Sequence, residues 1–263
     1  MSCITIALST HKGGAGKTTS VACFADLLGK QGKKVLLIDT DTQGNLSKRF
    51  GYPPQPRQEV TLSDAVKNIL GPQEEARPLK DFVQHTANLN IDILPNDDRY
   101  ANVVKEMLNL VMSGVNSYKL LVNELAPLYD YIIFDTKPAV DDEIRQIMMA
   151  VKWVIIPMDA ADDAIDGANN TMRFVKGCTR GNPSLTVAGI FFNAVNLRSS
   201  VAKDYIPQIR EAWGELVFDT VIPYSQEAKK AEGMHEPVTE AYPTGKVALA
   251  FEDLLKEVQQ RVE

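Results

Sequence analysis

Cysteine is scarce in this chain: Cys3, Cys23 and Cys178 are the three thiols among 263 residues. An odd count at wide spacing excludes a disulfide framework and a paired-cysteine cage for zinc or an iron–sulfur cluster. Small buried hydrophobes in a reducing, cytoplasmic setting are the expectation for them. Histidine is as rare, and His11, His85 and His235 show no metal-ligand spacing. No run approaches the roughly 20 apolar residues that cross a bilayer. The first residues enter an apolar alternation without a charged-then-apolar leader, so no export signal is expected. Basic charge is short too. Lys and Arg number 28 against 34 Asp and Glu, a net charge of −6, which lacks the basic excess of a strong nucleic-acid binder. Internal repeats and low-complexity tails are missing as well.

What is present is an alternation of short apolar runs with helical patterns. Ile4, Ile6 and Leu8 alternate at the start, and Lys34–Asp39, Leu89–Leu94, Tyr131–Asp135, Trp153–Met158 and Thr186–Phe192 are short and apolar. Runs of this kind suit strands buried on both faces of a parallel sheet. Helical periodicity lies between them over Asn102–Leu125, Asp141–Val151, Asp166–Lys176 and Val201–Trp213. The alternation predicts an α/β fold, a doubly wound and mostly parallel sheet with helices on both faces. With 44% hydrophobic residues the chain has material for a large core, and one domain over 1–263 is expected. The stretch 51–88 is richer in proline and charge, and predicts an inserted loop with one or two short helices.

Ser9 to Ser20 read STHKGGAGKTTS, between the first strand pattern and a helical one at Val21, Phe24, Ala25 and Leu28. Strand, glycine-rich turn and helix is the context of a phosphate-binding loop. Gly13, Gly14 and Gly16 carry no side chain to hold a polyphosphate off the backbone. With Ala15 they let successive N–H groups form an anion nest at the positive end of the following helix. Lys17 would neutralise the β- and γ-phosphates, Thr18 would complete a Mg²⁺ shell, and Thr19 follows in the same cradle. His11 stands where the strict pattern begins with glycine. ATP and Mg²⁺ are therefore the expected cofactors.

The run K-G-G-x-G-K-T-T resembles the deviant loop of the ParA/MinD ATPases, a P-loop class. The resemblance implies that Lys12 reaches across a dimer interface to the nucleotide of a second subunit, as an arginine finger does in trans. Two further segments fit. Ile38–Asn45 (IDTDTQGN) resembles the family's D-x-D-P-Q-G-N, with Thr42 in place of proline; by that resemblance Asp41 orients the attacking water and Asp39 supports the Mg²⁺ shell. Ile132–Asp135 looks like the family's second acidic strand, whose Asp135 would hold Mg²⁺ through water. An aspartate after a buried strand is by itself more often a turn former; the ordered set of three motifs favours the site.

The resemblance runs to the end of the chain. Asn193–Ser200 is similar to a family segment that places Asn193 at the nucleotide, and Thr220–Pro223 to the strand whose closing proline, Pro223, leads into the adenine pocket. Glu236–Val238 and Tyr242–Pro243 echo the family's ending. The pattern is most similar to short ParA proteins of the Soj type. It implies an ATP-gated homodimer that binds double-stranded DNA without sequence preference, positions plasmid or chromosomal DNA, and is stimulated by a ParB-like partner. Arg198, Lys203, Lys229 and Lys230 are the candidate DNA-contacting residues, with Arg210 and Lys246 near them; nucleoid association would follow. Two departures stand out: Lys137 replaces the first proline of D-x-P-P, and Glu227 occupies a place where arginine is common. A dimeric scaffold for a protein cargo and a MinD-like membrane regulator are the alternatives. The second wants a basic amphipathic C-terminal helix, whereas Ala250–Glu263 is acidic on its polar face, so no membrane partner is expected.

Overall fold

All six of the apolar runs become neighbouring strands, buried over most of their length. A computed structural model describes residues 2–55, 60–109, 115–160 and 164–263. Its strands are β1 (Ile4–Leu8), β2 (Val35–Asp39), β3 (Gln84–His85), β4 (Ile91–Leu94), β5 (Tyr131–Asp135), β6 (Trp153–Met158), β7 (Thr186–Val195) and β8 (Val217–Pro223). They form one sheet in the order β3-β4-β2-β5-β1-β6-β7-β8. Every pairing is parallel except that of β3, a two-residue edge strand antiparallel to β4 that the sequence pattern did not announce. The expected doubly wound sheet is therefore present.

Helices cover both faces. On one, α1 (Lys17–Lys30), α2 (Asn45–Arg49), α9 (Gln226–Met234), α10 (Val238–Ala241) and α11 (Lys246–Val262) enclose a core that includes Val21, Phe24, Leu28, Ile133 and Phe251. Phe24 meets Phe251 edge to face, with ring centroids 6.2 Å apart. On the other, α3 (Leu62–Leu70), α4 (Tyr100–Asn109), α5 (Ser117–Leu125), α6 (Asp142–Ala150), α7 (Ala164–Cys178) and α8 (Ser200–Trp213) pack over Leu36, Ile132, Phe134 and Ile156. The apolar side of α11 (Val247, Phe251, Leu254, Val258) is spent on the core, which leaves its charged side for solvent. Among the described residues no helix is long and apolar enough to cross a membrane.

The predicted single helix over Asn102–Leu125 is two helices, α4 and α5, with residues 110–114 outside the described residues. The second begins afresh because Asn116 caps it, its side chain accepting from the Lys119 amide at 2.9 Å. In the 51–88 stretch, α3 opens with a Thr61–Asp64 capping box. Leu62, Val66, Leu79 and Phe82 from this stretch enter the main core.

Parallel strands point their carboxyl ends the same way, and ligands of open α/β sheets collect there. At this edge the chain places the glycine loop after β1, Asp39 at the end of β2, Asp135 at the end of β5, Asp159 after β6, Asn193 in β7 and Pro223 at the end of β8. Asp39 and Asp135 are register partners on adjacent strands, and Leu8 is the partner of Asp135 on its other side.

Candidate functional site

The loop from Lys12 to Gly16 can turn tightly because Gly14 and Gly16 adopt φ of 77° and 82°, where a Cβ is unfavourable. Gly16 is also hemmed in: a Cβ there would lie 1.8 Å from Asn193 Nδ2. That amide donates to the Ala15 carbonyl at 2.9 Å, so β7 clamps the loop. Asn193, expected from resemblance alone, thus touches the loop itself. Lys17 is 7% exposed. Burial lowers its ammonium pKa, with Asp135 and then Asp41 pulling it back up.

Two buried carboxylates end neighbouring strands here, and that of Asp135 acts on the lysine. Asp39 accepts from the Ser47 hydroxyl at 2.6 Å, the Ser47 amide at 2.8 Å and the Asp41 amide at 3.2 Å. Burial nevertheless pushes it up to about 6, against the lowering by these donors. Asp135 is different: it is fully buried, and neither carboxylate oxygen meets a donor at bonding geometry. Burial first, then the Asp39 charge, push it up to about 8, while the Thr18 hydroxyl and Lys17 hold the rise back. Two adjacent buried carboxylates, one without donors, form a place that a cation would stabilise. No group of three or more His, Cys, Asp or Glu able to hold a metal gathers among the described residues. The donors suit a Mg²⁺ taken through one carboxylate, a hydroxyl, waters and phosphate oxygens rather than an all-protein cage. Asp135 and Thr18 would hold it, and Asp39 would act behind them.

Asp41 lies at the wall of the cleft. Its Oδ1 accepts from the Gln43 amide at 3.0 Å and its carbonyl from the Gly44 amide at 2.8 Å. Asn96, fully buried two residues beyond β4, donates through Nδ2 to the carbonyls of Asp39 at 3.1 Å and Asp41 at 2.9 Å. Its own amide donates to Ser47 Oγ at 2.8 Å. Asn96 and Ser47 therefore fix the Asp39–Asp41 turn, and neither was singled out from sequence. Its position just past a strand's carboxyl end is the sequence signal that could have found Asn96.

Lys12, expected to act across a dimer, is held within its own chain, its Nζ 2.9 Å from Asp159 Oδ2 and 3.2 Å from Oδ1. The loop also rests on α7, where the His11 amide donates to Thr171 Oγ1 at 3.2 Å. Lys137 bonds Asp141 at 2.7 Å and Glu143 at 2.6 Å. Glu143 is 2% exposed and accepts from the hydroxyls of Tyr100 at 2.6 Å and Tyr118 at 3.0 Å. The departure at 137 is thus an anchored residue that ties the loop after β5 to the second face of the sheet.

The cleft measures about 460 Å³, within the range of small-ligand sites. Gly14, Gly16, Lys17, Thr18 and Thr19 form one wall, and Pro223, Tyr224, Val247 and Phe251 give an apolar stretch suited to a base. Lys229, a DNA candidate by sequence, also lines this cleft, its ammonium 5.4 Å from the centre of the Tyr224 ring. Arg198 and Lys246 line a neighbouring shallow cleft with the same tyrosine, so these three cations converge. Lys203 and Lys230 are exposed on α8 and α9.

Residues 3–187 match the family described as AAA domain. The chromosome partitioning protein ParA of Caulobacter vibrioides is 30% identical over 240 residues, 89% of this chain and 85% of that protein. An ATP complex of an aspartate-to-alanine variant of Cyanothece McdA superposes with a TM-score of 0.81 at 26% identity, over 99% of this chain and 98% of the other. The septum site-determining protein MinD of Pyrococcus horikoshii, solved with Mg-ADP, gives 0.78 at 25% identity over 98% and 96% of the two chains. Sequence, fold and nucleotide-bound neighbours agree, and the chain belongs to the ParA/MinD-type P-loop ATPases.

Proposed function

We propose that this ATPase is Mg²⁺-dependent, dimerises when ATP is bound, and positions plasmid or chromosomal DNA with a ParB-like activator. The observation that supports the chemistry best is the in-register pair Asp39–Asp135 beside Lys17, with the Asp135 carboxylate lacking donors. Mg²⁺, when bound, neutralises charge on the phosphates. Lys17 and the loop amides bind and orient the polyphosphate, and Gly14 and Gly16 let the backbone approach it. Asp41, fixed by Asn96 and its own turn, directs a water at the terminal phosphoryl group. Lys12 would exchange Asp159 for the terminal phosphates of a second copy, which couples dimerisation to ATP.

DNA binding in this reading starts from Arg198, Lys229 and Lys246 around Tyr224, doubled in the dimer, with Lys203 and Lys230 adding charge. Nucleoid association in the cytoplasm would follow. The overall charge of −6 favours a second reading, an ATP-gated dimer that carries a protein cargo and never touches DNA. Hydrolysis assays with and without Mg²⁺, and with and without duplex DNA at two salt concentrations, separate the two. DNA bound through phosphates alone loses affinity with a log–log slope of about −0.9 per phosphate neutralised. An ATP-loaded dimer that ignores DNA at low salt refutes the first reading, and Mg²⁺-independent turnover refutes the chemistry.

A further inference from the structure

Arg49 closes α2 with its side chain only 4% exposed, yet it faces the nucleotide cleft. A guanidinium carries five N–H donors. Here one of them makes a hydrogen bond, from Nη2 to Thr19 Oγ1 at 3.1 Å. The carboxylate nearest to it belongs to Glu232 on α9, at 3.6 Å, and that side chain is 68% exposed. Charge-assisted N–H···O contacts normally close to about 2.7–2.9 Å, so this pair is loose. An enclosed cation with a single neutral partner and a distant, solvated anion keeps N–H donors to spare on the cleft side. The arrangement suits an anion that enters the cleft from outside.

Thr19 says which anion. It follows Thr18 at the start of α1, two positions farther along the helix than Lys17, which serves the terminal phosphates. We infer that Arg49 is a nucleotide-binding residue that holds the α-phosphate of a bound nucleoside di- or triphosphate, with Glu232 standing in for that phosphate when the cleft is empty. Phosphate accepts a planar guanidinium with two parallel bonds, which an ammonium cannot match. Glu232, released to solvent on binding, competes with the ligand and so weakens it.

The inference rests on a nucleotide occupying this cleft. Calorimetry with ADP and with ATP on the wild type, Arg49→Ala, Arg49→Lys and Glu232→Gln tests it, with urea unfolding of each ligand-free protein as the check on folding. Arg49→Ala should weaken ADP and ATP by the same factor, about 10- to 100-fold, the range of a charged hydrogen bond. Arg49→Lys should recover part of that loss. Glu232→Gln, at an exposed position, should move both affinities the other way, tighter by a few-fold. Wild-type ADP affinity in a folded Arg49→Ala protein overturns the inference, as does a loss confined to ATP or a weaker Glu232→Gln. If the wild type itself fails to bind ADP, the nucleotide reading of the cleft falls first.

Discussion

Replacing either of two glycines in the phosphate loop by alanine separates backbone strain from packing. Gly14 and Gly16 both have positive φ, but a Cβ on Gly14 has nothing within 4 Å, whereas one on Gly16 falls 1.8 Å from Asn193 Nδ2. Gly14→Ala should therefore cost only the left-handed conformation, about 1 kcal/mol after the gain from a stiffer unfolded chain. Gly16→Ala has that cost and also drives Asn193 off the Ala15 carbonyl. Losing a buried hydrogen bond adds about 1–3 kcal/mol, for a total of about 2–4 kcal/mol. Urea unfolding of the nucleotide-free proteins, followed by circular dichroism, reads both. In an Asn193→Ala background nothing is left to displace, so the effect of Gly16→Ala should shrink to that of Gly14→Ala. Equal losses for the two glycines, or a Gly16→Ala cost unchanged by Asn193→Ala, would refute the clamp between β7 and the loop.

Asp159→Asn weakens the pairing that retains Lys12 in its own chain, so light scattering should show the ATP-bound dimer at lower protein concentration; an unchanged monomer–dimer balance would mean that this contact does not compete with assembly. Asn96→Ala should slow turnover about tenfold, some 1.4 kcal/mol on the barrier, while ATP affinity stays near wild type, because Asn96 holds the Asp41 turn and not the phosphate loop. Weaker binding with intact turnover would reverse that assignment. Asp39 and Asp135 stand at about 6 and about 8, above the unfolded value of about 3.9. The folded apo-protein then keeps protons that the unfolded chain releases, so stability in metal-free buffer should fall as pH rises from about 4 to about 8. Mg²⁺ binding should strengthen over the same window as the carboxylates become charged. Asp135→Asn should flatten the stability profile, and a slope it leaves intact would locate the titration elsewhere.

The phosphate loop was legible because all its parts lie within twelve consecutive residues. Strand ends were legible because burial on both faces selects continuous apolar runs; Tyr131–Asp135 and Trp153–Met158 have the expected bounds. Register was not. That Asp39 sits beside Asp135 is set by the pairing of β2 with β5, 96 positions apart, and no local pattern encodes it. The same holds for Asn96 over Asp41 and for Arg49 against Thr19 and Glu232, whose partners come from other elements. The break between α4 and α5 escaped because hydrophobic periodicity continues through it, and only the cap at Asn116 marks the new start. Lys229 shows the limit for surface charge: composition proposes a cation, but the turn after β8 decides that it lines the cleft.

The anchoring of Lys137 bears on how this sequence can be altered. Lys137 is one of the positions at which the chain departs from the family pattern, and a proline there looks like a simple reversion. Glu143, however, is buried and depends on that ammonium together with the two tyrosine hydroxyls. Removing one member of a buried ion pair typically costs about 3–5 kcal/mol. A proline at 137 would therefore have to arrive with a neutral residue at 143, and chimaeras that exchange the loop alone would lose stability whatever the donor sequence. Positions 137 and 143 form a unit of inheritance, six residues apart, that is transferable only as a pair.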